Sequence, residues 1–546
     1  MSSSKVEKKN ILLFYSDKYY LIKQVYPFGL DLIADYLRQS GHDVTIEYPY
    51  LPDPDPETNL MNILEHPAPD IIGLGIRNLD TCMSCEEYGD YEGDGYKTFY
   101  FLPEVKRLVE FIKKHAPGLP IIAGGGAFTI SPKAILKYLG IEYGVVGEGE
   151  EPLRRFIEAF PDRKKISKIP NLACLNGDYR ANPRQDYHFG RDPWAFERDK
   201  KFNYAFETAG LPVQVKRGCN RACSYCVEPL IEGKKIFFRD LDQVIEGLKT
   251  VSETHEGINT IFFVDTEFNV PDLVYCSGLV KRIMKEGLHQ RLSFSSQFLP
   301  RPFDRDFAEI LAEAGFSIIL TCDSFSDSVL EKNRVSYRQR DITRTLGLCE
   351  EYGMSCTLSM IFGLPGETYE TLDHSLEQMN GYPPHFLRRY EYTIGSRIYK
   401  GTSLCEFVEK DKEKGHLYGM KSDGYIEPFY YCSPESPMKL KQYVQQGFPY
   451  PTAYQNYYDK TRFRALAMGY LVDQGRWEEV CPMFFSSDFG ARTSIYEYFF
   501  RKLTDAGRID DARAISVTLL KDIKESKNST QFGEQEELIR FYLSCL

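Results

Sequence analysis

With 546 residues, 42% apolar and 27% charged, the chain has an ordinary globular composition and room for several domains. A formal net charge of −11, from 67 basic and 78 acidic residues, argues against a protein that grips a nucleic-acid backbone; a small-molecule or peptide substrate is expected instead. No run approaches the roughly 18 apolar residues of a membrane span, the polar start MSSSKVEKKN lacks a signal-type apolar core, and the 14 cysteines are scattered apart from two tight groups, so a reducing cytoplasm is expected.

Residues 1–160 read as one β/α domain. Short apolar runs at 11–15 (ILLFY), 43–47 (DVTIE), 71–76 (IIGLGI), 120–123 (PIIA) and 143–146 (YGVV) predict strands. Between them, Leu30, Ile33, Ala34 and Leu37, and then Val105, Leu108, Val109 and Ile112, follow helical spacing. Alternating strands and helices predict a doubly wound, Rossmann-like parallel sheet, which binds ligands beyond the carboxyl ends of its strands. Gly124, Gly125 and Gly126 end the fourth strand, and Gly147 and Gly149 follow the fifth. Turns without side chains let a flat or nucleotide-like ligand approach the backbone, although such turns also serve the fold alone.

Residues 161–209 are polar and aperiodic and are expected to form a linker. A second β/α series fills 210–405, with strands predicted at 212–216, 260–264, 291–298, 317–321, 356–362 and 391–394, and a helix carrying Leu241, Val244, Ile245 and Leu248. Six units predict an open, partial (β/α)6 barrel of TIM type. Residues 406–546 are expected to be a mainly helical closure domain, with helical stretches near 460–474 and 505–523; His416 and the aromatic stretch 429–431 have no assigned role.

Directly after the first strand of the second series stands KRGCNRACSYC, which spaces Cys219, Cys223 and Cys226 as Cys-x-x-x-Cys-x-x-Cys. Three thiolates on one loop can bind three irons of a 4Fe-4S cubane and leave the fourth iron open. A zinc site is the alternative, and it wants a fourth ligand that is not nearby. Gly218 and Ala222 give the loop room, and Tyr225 can cover one face of the cluster or of a nucleobase. A further pair, Cys82 and Cys85, is read as unremarkable thiols.

The cysteine spacing resembles the signature of the radical S-adenosylmethionine (SAM) superfamily. That resemblance implies that SAM chelates the open iron and is cleaved reductively to a 5′-deoxyadenosyl radical, with an external donor such as flavodoxin or ferredoxin supplying the electron. It also implies roles for residues at the strand ends. Asp265 and Glu267 would face the SAM amino group, Asp323 and Ser324 the ribose, and Gly363 and Gly366, in IFGLPGE, the adenine. Each has a plain reading beside it: a capping acid, a polar strand end, a Pro-Gly turn. Arg397, in GSRIYKGTSL, is either a carboxylate partner or structural.

The order PFGLDLIADYLRQSGHDVTIE, IIGLGIRN, IIAGGGAFT, YGVVGEGE resembles the cobalamin-binding domain of radical SAM proteins. Many such domains offer a His after the first strand as lower cobalt ligand. Here SDKYYLIKQ has Asp17 but Tyr20 where that His would stand, so base-off cobalamin without His ligation is expected. Arg77, ending the third strand, is then the candidate for the lower face of the corrin, where a cation discourages a sixth ligand; a salt bridge is its plain reading.

Together these features imply a cobalamin-dependent radical SAM methyltransferase acting on an unactivated carbon. A cobalamin-binding radical SAM enzyme of rearrangement, cyclisation or oxidation is the alternative, and a non-catalytic cobalamin or redox sensor is the third. A methylthiotransferase is weaker, because that family adds a second three-cysteine site.

Overall fold

The computed structural model describes residues 7–17, 26–50, 56–86, 89, 91–187, 210–254, 259–410, 416–450, 465, 468–469, 471–472, 475–487, 489–525 and 533–546. The strands of the first half are β1 (Asn10–Tyr15), β2 (Asp43–Glu47), β3 (Ile71–Gly75), β4 (Tyr91–Gly93), β5 (Tyr96–Thr98), β6 (Ile121–Gly124), β7 (Tyr143–Val145), β8 (Leu172–Asn176) and β9 (Asp178–Ala181). Seven of them form one sheet in the order β2-β1-β3-β6-β7-β8-β9. The first five are parallel, as the apolar runs predict: strands covered by helices on both faces need continuous apolar sequence. Helices Phe28–Gln39, Leu102–His115, Pro132–Leu139 and Glu150–Ala159 bury apolar stripes, as with Val105, Leu108, Val109 and Ile112.

The stretch expected to be a linker contributes to this sheet. β8 pairs antiparallel with β7, and β9 with β8, in a hairpin turned at Gly177. β9 is the edge strand and is polar and largely exposed, whereas β8 lies between β7 and β9 and begins with the buried Leu172 and Ala173. Residues 188–209 of that stretch lie outside the described residues.

The second series gives β10 (Leu211–Val213), β11 (Lys216–Arg217), β12 (Phe237–Phe238), β13 (Thr260–Phe263), β14 (Ser293–Phe298), β15 (Phe316–Asp323), β16 (Cys356–Phe362) and β17 (Arg388–Ile394). β10, β13, β14, β15, β16 and β17 form an all-parallel, open sheet in chain order. The single strand expected at 212–216 is divided, because the Asp265 carboxylate takes the N–H groups of Val215 and Lys216 at 3.0 and 2.7 Å and turns the chain toward β11. Outward residues such as Phe294, Phe316, Leu358 and Tyr390 are buried under helices. The alternate residues Thr321, Ser359, Ile361 and Glu391 are only half-buried, so the inner face lines a space rather than a packed core.

After the barrel, β18 (Ser396–Arg397), β19 (Leu417–Gly419) and β20 (Phe429–Tyr431) form a small antiparallel sheet with β20 central. The aromatic stretch 429–431 is therefore a buried strand in a region expected to be mainly helical. It receives the long loop after β3: the Tyr430 hydroxyl bonds Thr98 Oγ1 at 2.9 Å, and Arg397 Nε donates to Asp80 at 2.8 Å. The carboxylate that Arg397 meets is thus one of the protein's own, in a buried structural ion pair.

The described residues divide into two compact units: 7–17, 26–47 and 67–450 in one, and 48–50, 56–66 and 465–546 in the other. The second unit contains helices Pro56–Glu65, Trp477–Ser486, Phe489–Asp505, Ile509–Glu525 and Gly533–Ser544. Ile509–Glu525 agrees with the helix expected near 505–523, whereas most of 460–474 lies outside the described residues. Among the described residues, no helix is long and apolar enough to cross a membrane.

Candidate active site

The cysteine loop leaves β11 at the carboxyl end of the barrel. Gly218 has φ +97°, and a Cβ there would stand 2.0 Å from the Lys235 carbonyl oxygen, so only glycine fits before Cys219. The Gly218 N–H donates to Glu232 at 3.0 Å, and Thr266 Oγ1 donates to the Gly218 carbonyl at 3.1 Å. Farther on, Ser224 is fixed to Asn333 through its N–H and its hydroxyl, at 2.9 and 2.7 Å. Cys219 is buried, Cys223 and Cys226 partly so, and all three are free thiols. Burial pushes the Cys223 thiol up to about 12 and raises Cys226 as well. Without iron the loop holds protons, and cluster binding must release them. Among the described residues, no three His, Cys, Asp or Glu side chains converge on one ion; a cubane needs no such convergence, because each thiolate takes a different iron.

Tyr225 and Asp323 are brought together. The Tyr225 hydroxyl donates to Asp323 Oδ2 at 2.6 Å, and Tyr337 donates to the same oxygen at 2.7 Å. Asp323 is buried with φ +49°, and its Oδ1 has no partner. Glu267 is also left-handed, at φ +81°; its Oε1 accepts from Thr321 at 2.9 Å and its Oε2 is buried without a partner. Such backbone costs on the order of 1–3 kcal/mol in a residue other than glycine and collects at functional sites. Asp265 spends Oδ1 on the β10–β11 turn, while its Oδ2 has no partner. Burial pushes Asp265 up to about 6 and Glu267 up to about 7. Lys216, 1% exposed, places an ammonium without a hydrogen-bond partner in the same region, where its charge acts on Asp265, Glu267 and Cys219. Orphaned carboxylate oxygens beside an orphaned ammonium are costly in a closed protein and suit a zwitterionic amino-acid head. Lys216 and Tyr337 carry no sequence motif.

Other expected residues also have contacts within the fold. Ser324 accepts from the Ser326 N–H at 3.1 Å and bonds Ser375, turning the chain into helix Asp327–Lys332. A Cβ on Gly363 would meet Cys432 Sγ at 2.7 Å, and one on Gly366 would meet Lys332 at 2.7 Å, so these glycines make way for protein atoms. Glu367 closes that turn by accepting the Gly363 N–H; burial pushes it up to about 8, and its Oε1 has no partner. A carboxyl group raised in the folded state binds more protons there than in the unfolded chain. Its contribution is full at low pH and is lost as pH rises through the folded value. We therefore expect Glu367→Gln to flatten the decline in thermal stability between about pH 5 and about pH 9, measured by melting at several pH values.

The glycines of the first sheet divide in the same way. Gly125, at φ +103°, would clash with the Ile76 carbonyl, Gly147 with Arg184, and Gly149 with Ile33, whereas Gly124 has no neighbour nearer than 3.9 Å. A side chain at Gly125 is thus expected to displace the end of β3 rather than to fill a ligand's space. Arg77 leaves β3, is 45% exposed, and pairs with Asp17 at the end of neighbouring β1 at 3.5 Å. Tyr20 lies outside the described residues. The sequence offered no sign of the junction between the two sheets. There, Arg217 pairs with Glu150 at 2.6 Å and Glu148 at 3.7 Å, and Gly126 faces Ile231, from which a Cβ would stand 3.3 Å away.

Residues 213–379 match the radical SAM superfamily, and residues 100–157 match the B12 binding domain. Tryptophan 2-C-methyltransferase of Streptomyces laurentii is 26% identical over 418 residues, which is 65% of this chain and 67% of that enzyme. The structure of the radical S-adenosylmethionine methyltransferase TsrM from Kitasatospora setae, with cobalamin and a [4Fe-4S] cluster bound, superposes with a TM-score of 0.69 at 20% identity. It covers 94% of this chain and 100% of its own. The cobalamin-dependent S-adenosylmethionine radical enzyme OxsB, with aqua-cobalamin bound, gives 0.62 at 14% identity over 99% of this chain and 84% of its own. At these identities the two structural likenesses speak to the fold.

Proposed function

We propose, from the premise that this chain is a radical SAM enzyme with a B12-binding domain, that it moves a methyl group from SAM by way of cobalamin to an unactivated carbon of a small molecule or peptide. The observation that carries this reading is the junction of the two carboxyl edges, where Gly126 faces Ile231 and Arg217 meets Glu150. Doubly wound sheets bind ligands on that edge, so a corrinoid there is a neighbour of the cysteine loop. A relative named for C-methylation of tryptophan supports a small-molecule substrate.

When bound, the cluster with SAM supplies one-electron cleavage chemistry, and cobalamin supplies a transferable methyl group. The chain's own part is placement. Cys219, Cys223 and Cys226 hold three irons. Lys216, Asp265 and Glu267 receive the charged amino-acid head of SAM through their unpartnered atoms. Tyr225, held by Asp323, keeps one wall of the chamber rigid. A flavodoxin or ferredoxin supplies the electron.

Arg77 would stand at the lower corrin face, where its cation would discourage a further cobalt ligand. Its salt bridge to Asp17 holds the guanidinium without providing a cobalt ligand. Arg77→His should convert bound cob(II)alamin to a five-coordinate spectrum by electron paramagnetic resonance, and Arg77→Lys should loosen the site, because the two cations differ in shape and hydration. A strong axial signal already present in the wild type, or no change in either variant, leaves Arg77 a purely structural residue.

The reaction is tested by incubating reconstituted enzyme with candidate metabolites and methyl-labelled SAM, followed by mass spectrometry. A product heavier by one labelled CH2 group supports methyl transfer. A converted product without added carbon overturns it in favour of rearrangement or oxidation.

A further inference from the structure

The turn Gly147–Glu150 and the cysteine loop are tied by charges to which the methyl-transfer scheme gives no role beyond marking where the two edges meet. Arg217 stands two residues before Cys219, and its side chain is 11% exposed. One arm meets Glu150 at 2.6 Å and another approaches Glu148, itself 9% exposed, at 3.7 Å. Its Nε donates to Gln214 at 3.1 Å, Gln214 donates to Glu232 at 3.0 Å, and Glu232 accepts the Gly218 N–H at 3.0 Å. The chain of bonds thus ends on the Gly218 N–H, in the peptide that joins Arg217 to Gly218, one residue before Cys219.

A second tie runs parallel. Arg184, beyond β9, donates to the carbonyl of Leu230 at 2.7 Å and to that of Ile231, at the end of the short helix that follows Cys226. The same Arg184 guanidinium fills the space beside Gly147, 2.8 Å from where a Cβ would stand. Both sides of the cysteine loop are therefore held by residues of the first sheet's carboxyl edge.

We infer that Arg217 is a positioning residue that makes loading of the cluster and of cobalamin cooperative, by fixing the Gly147–Glu150 turn and the Gly218 peptide, next to Cys219, in one arrangement. This rests on the reading that cobalamin occupies that edge. The physical reason is ordering. A cluster immobilises the loop and, through Arg217, the turn, so a corrinoid meets a site already ordered; by linkage, the corrinoid stabilises the cluster by the same factor. Two enclosed carboxylates also require the guanidinium between them, so the turn loses its geometry when Arg217 is absent.

The test is titration of hydroxocobalamin into the full chain with and without reconstituted cluster, followed by absorbance. Wild-type protein should bind about 5- to 150-fold more tightly with the cluster in place, the usual range of coupling between sites. Reciprocally, hydroxocobalamin should slow removal of cluster iron by a chelator. Arg217→Met should abolish the difference, and Arg217→Lys, which keeps the charge, should restore part of it. Equal affinity with and without cluster in the wild type overturns the inference and leaves the functional reading standing. Failure of either form to retain hydroxocobalamin overturns both. The wild-type comparison decides even if Arg217→Met does not fold.

Discussion

Replacing Cys219, Cys223 and Cys226 together with Ala is expected to give a folded chain with no iron, no broad absorbance near about 400 nm and no SAM-dependent chemistry, where the wild type should carry about four irons per chain after anaerobic reconstitution. The fold should survive because the anchors of the loop at Gly218 and Ser224 do not involve its thiols, and only the segment between them is left for the cluster to immobilise. Glu232 and Thr266 fix Gly218, and Asn333 fixes Ser224. Iron determination and circular dichroism on the same sample separate the two results. Retained iron in the triple variant sinks the cluster assignment.

Arg397→Met should cost the first unit about 3–5 kcal/mol, the range for removing one partner of a buried ion pair. Arg397 and Asp80 have side chains 2% and 0% exposed and lie 2.8 Å apart. The remaining guanidinium donors reach the carbonyls of Ile398, Tyr425 and Glu427, so one side chain gathers β18, the turn before β20 and the loop after β3. Asp80→Asn should be nearly as damaging. In the double variant the two losses should fall short of additive, because neither leaves a lone buried charge. Denaturant unfolding of the four proteins measures the cycle. Additive losses would mean that the two groups act separately.

Much of the first sheet and the barrel was legible because the information is local. A parallel strand covered on both faces must be an apolar run, and its helices must show an apolar stripe; both appear at 11–15, 71–76 and 356–362 without knowledge of the partners. The β8–β9 hairpin was missed for the converse reason: β9, at the sheet edge, is polar and mostly exposed, and β8 offers only a short apolar run before it. The sheet β18–β20–β19 was missed because its strands are two or three residues long, too short for any period to register.

Within the site the division follows distance along the chain. The sequence by itself determined the cysteine loop, since three thiols within eight positions must share one turn whatever surrounds them, and the glycine before Cys219 is demanded by backbone geometry at that turn. Tertiary structure alone decided that Tyr225 and Tyr337 share one oxygen of Asp323, across 98 and 14 positions; that Arg217 finds Glu150 across 67; and that Arg397 finds Asp80 across 317. It also decided that Gly125 and Gly363 yield space to a carbonyl and a thiol of the protein itself. A charge or a missing side chain shows in the sequence as a capacity; which group it meets depends on the packing of strands far apart in the chain, where desolvation makes each polar atom's partner matter.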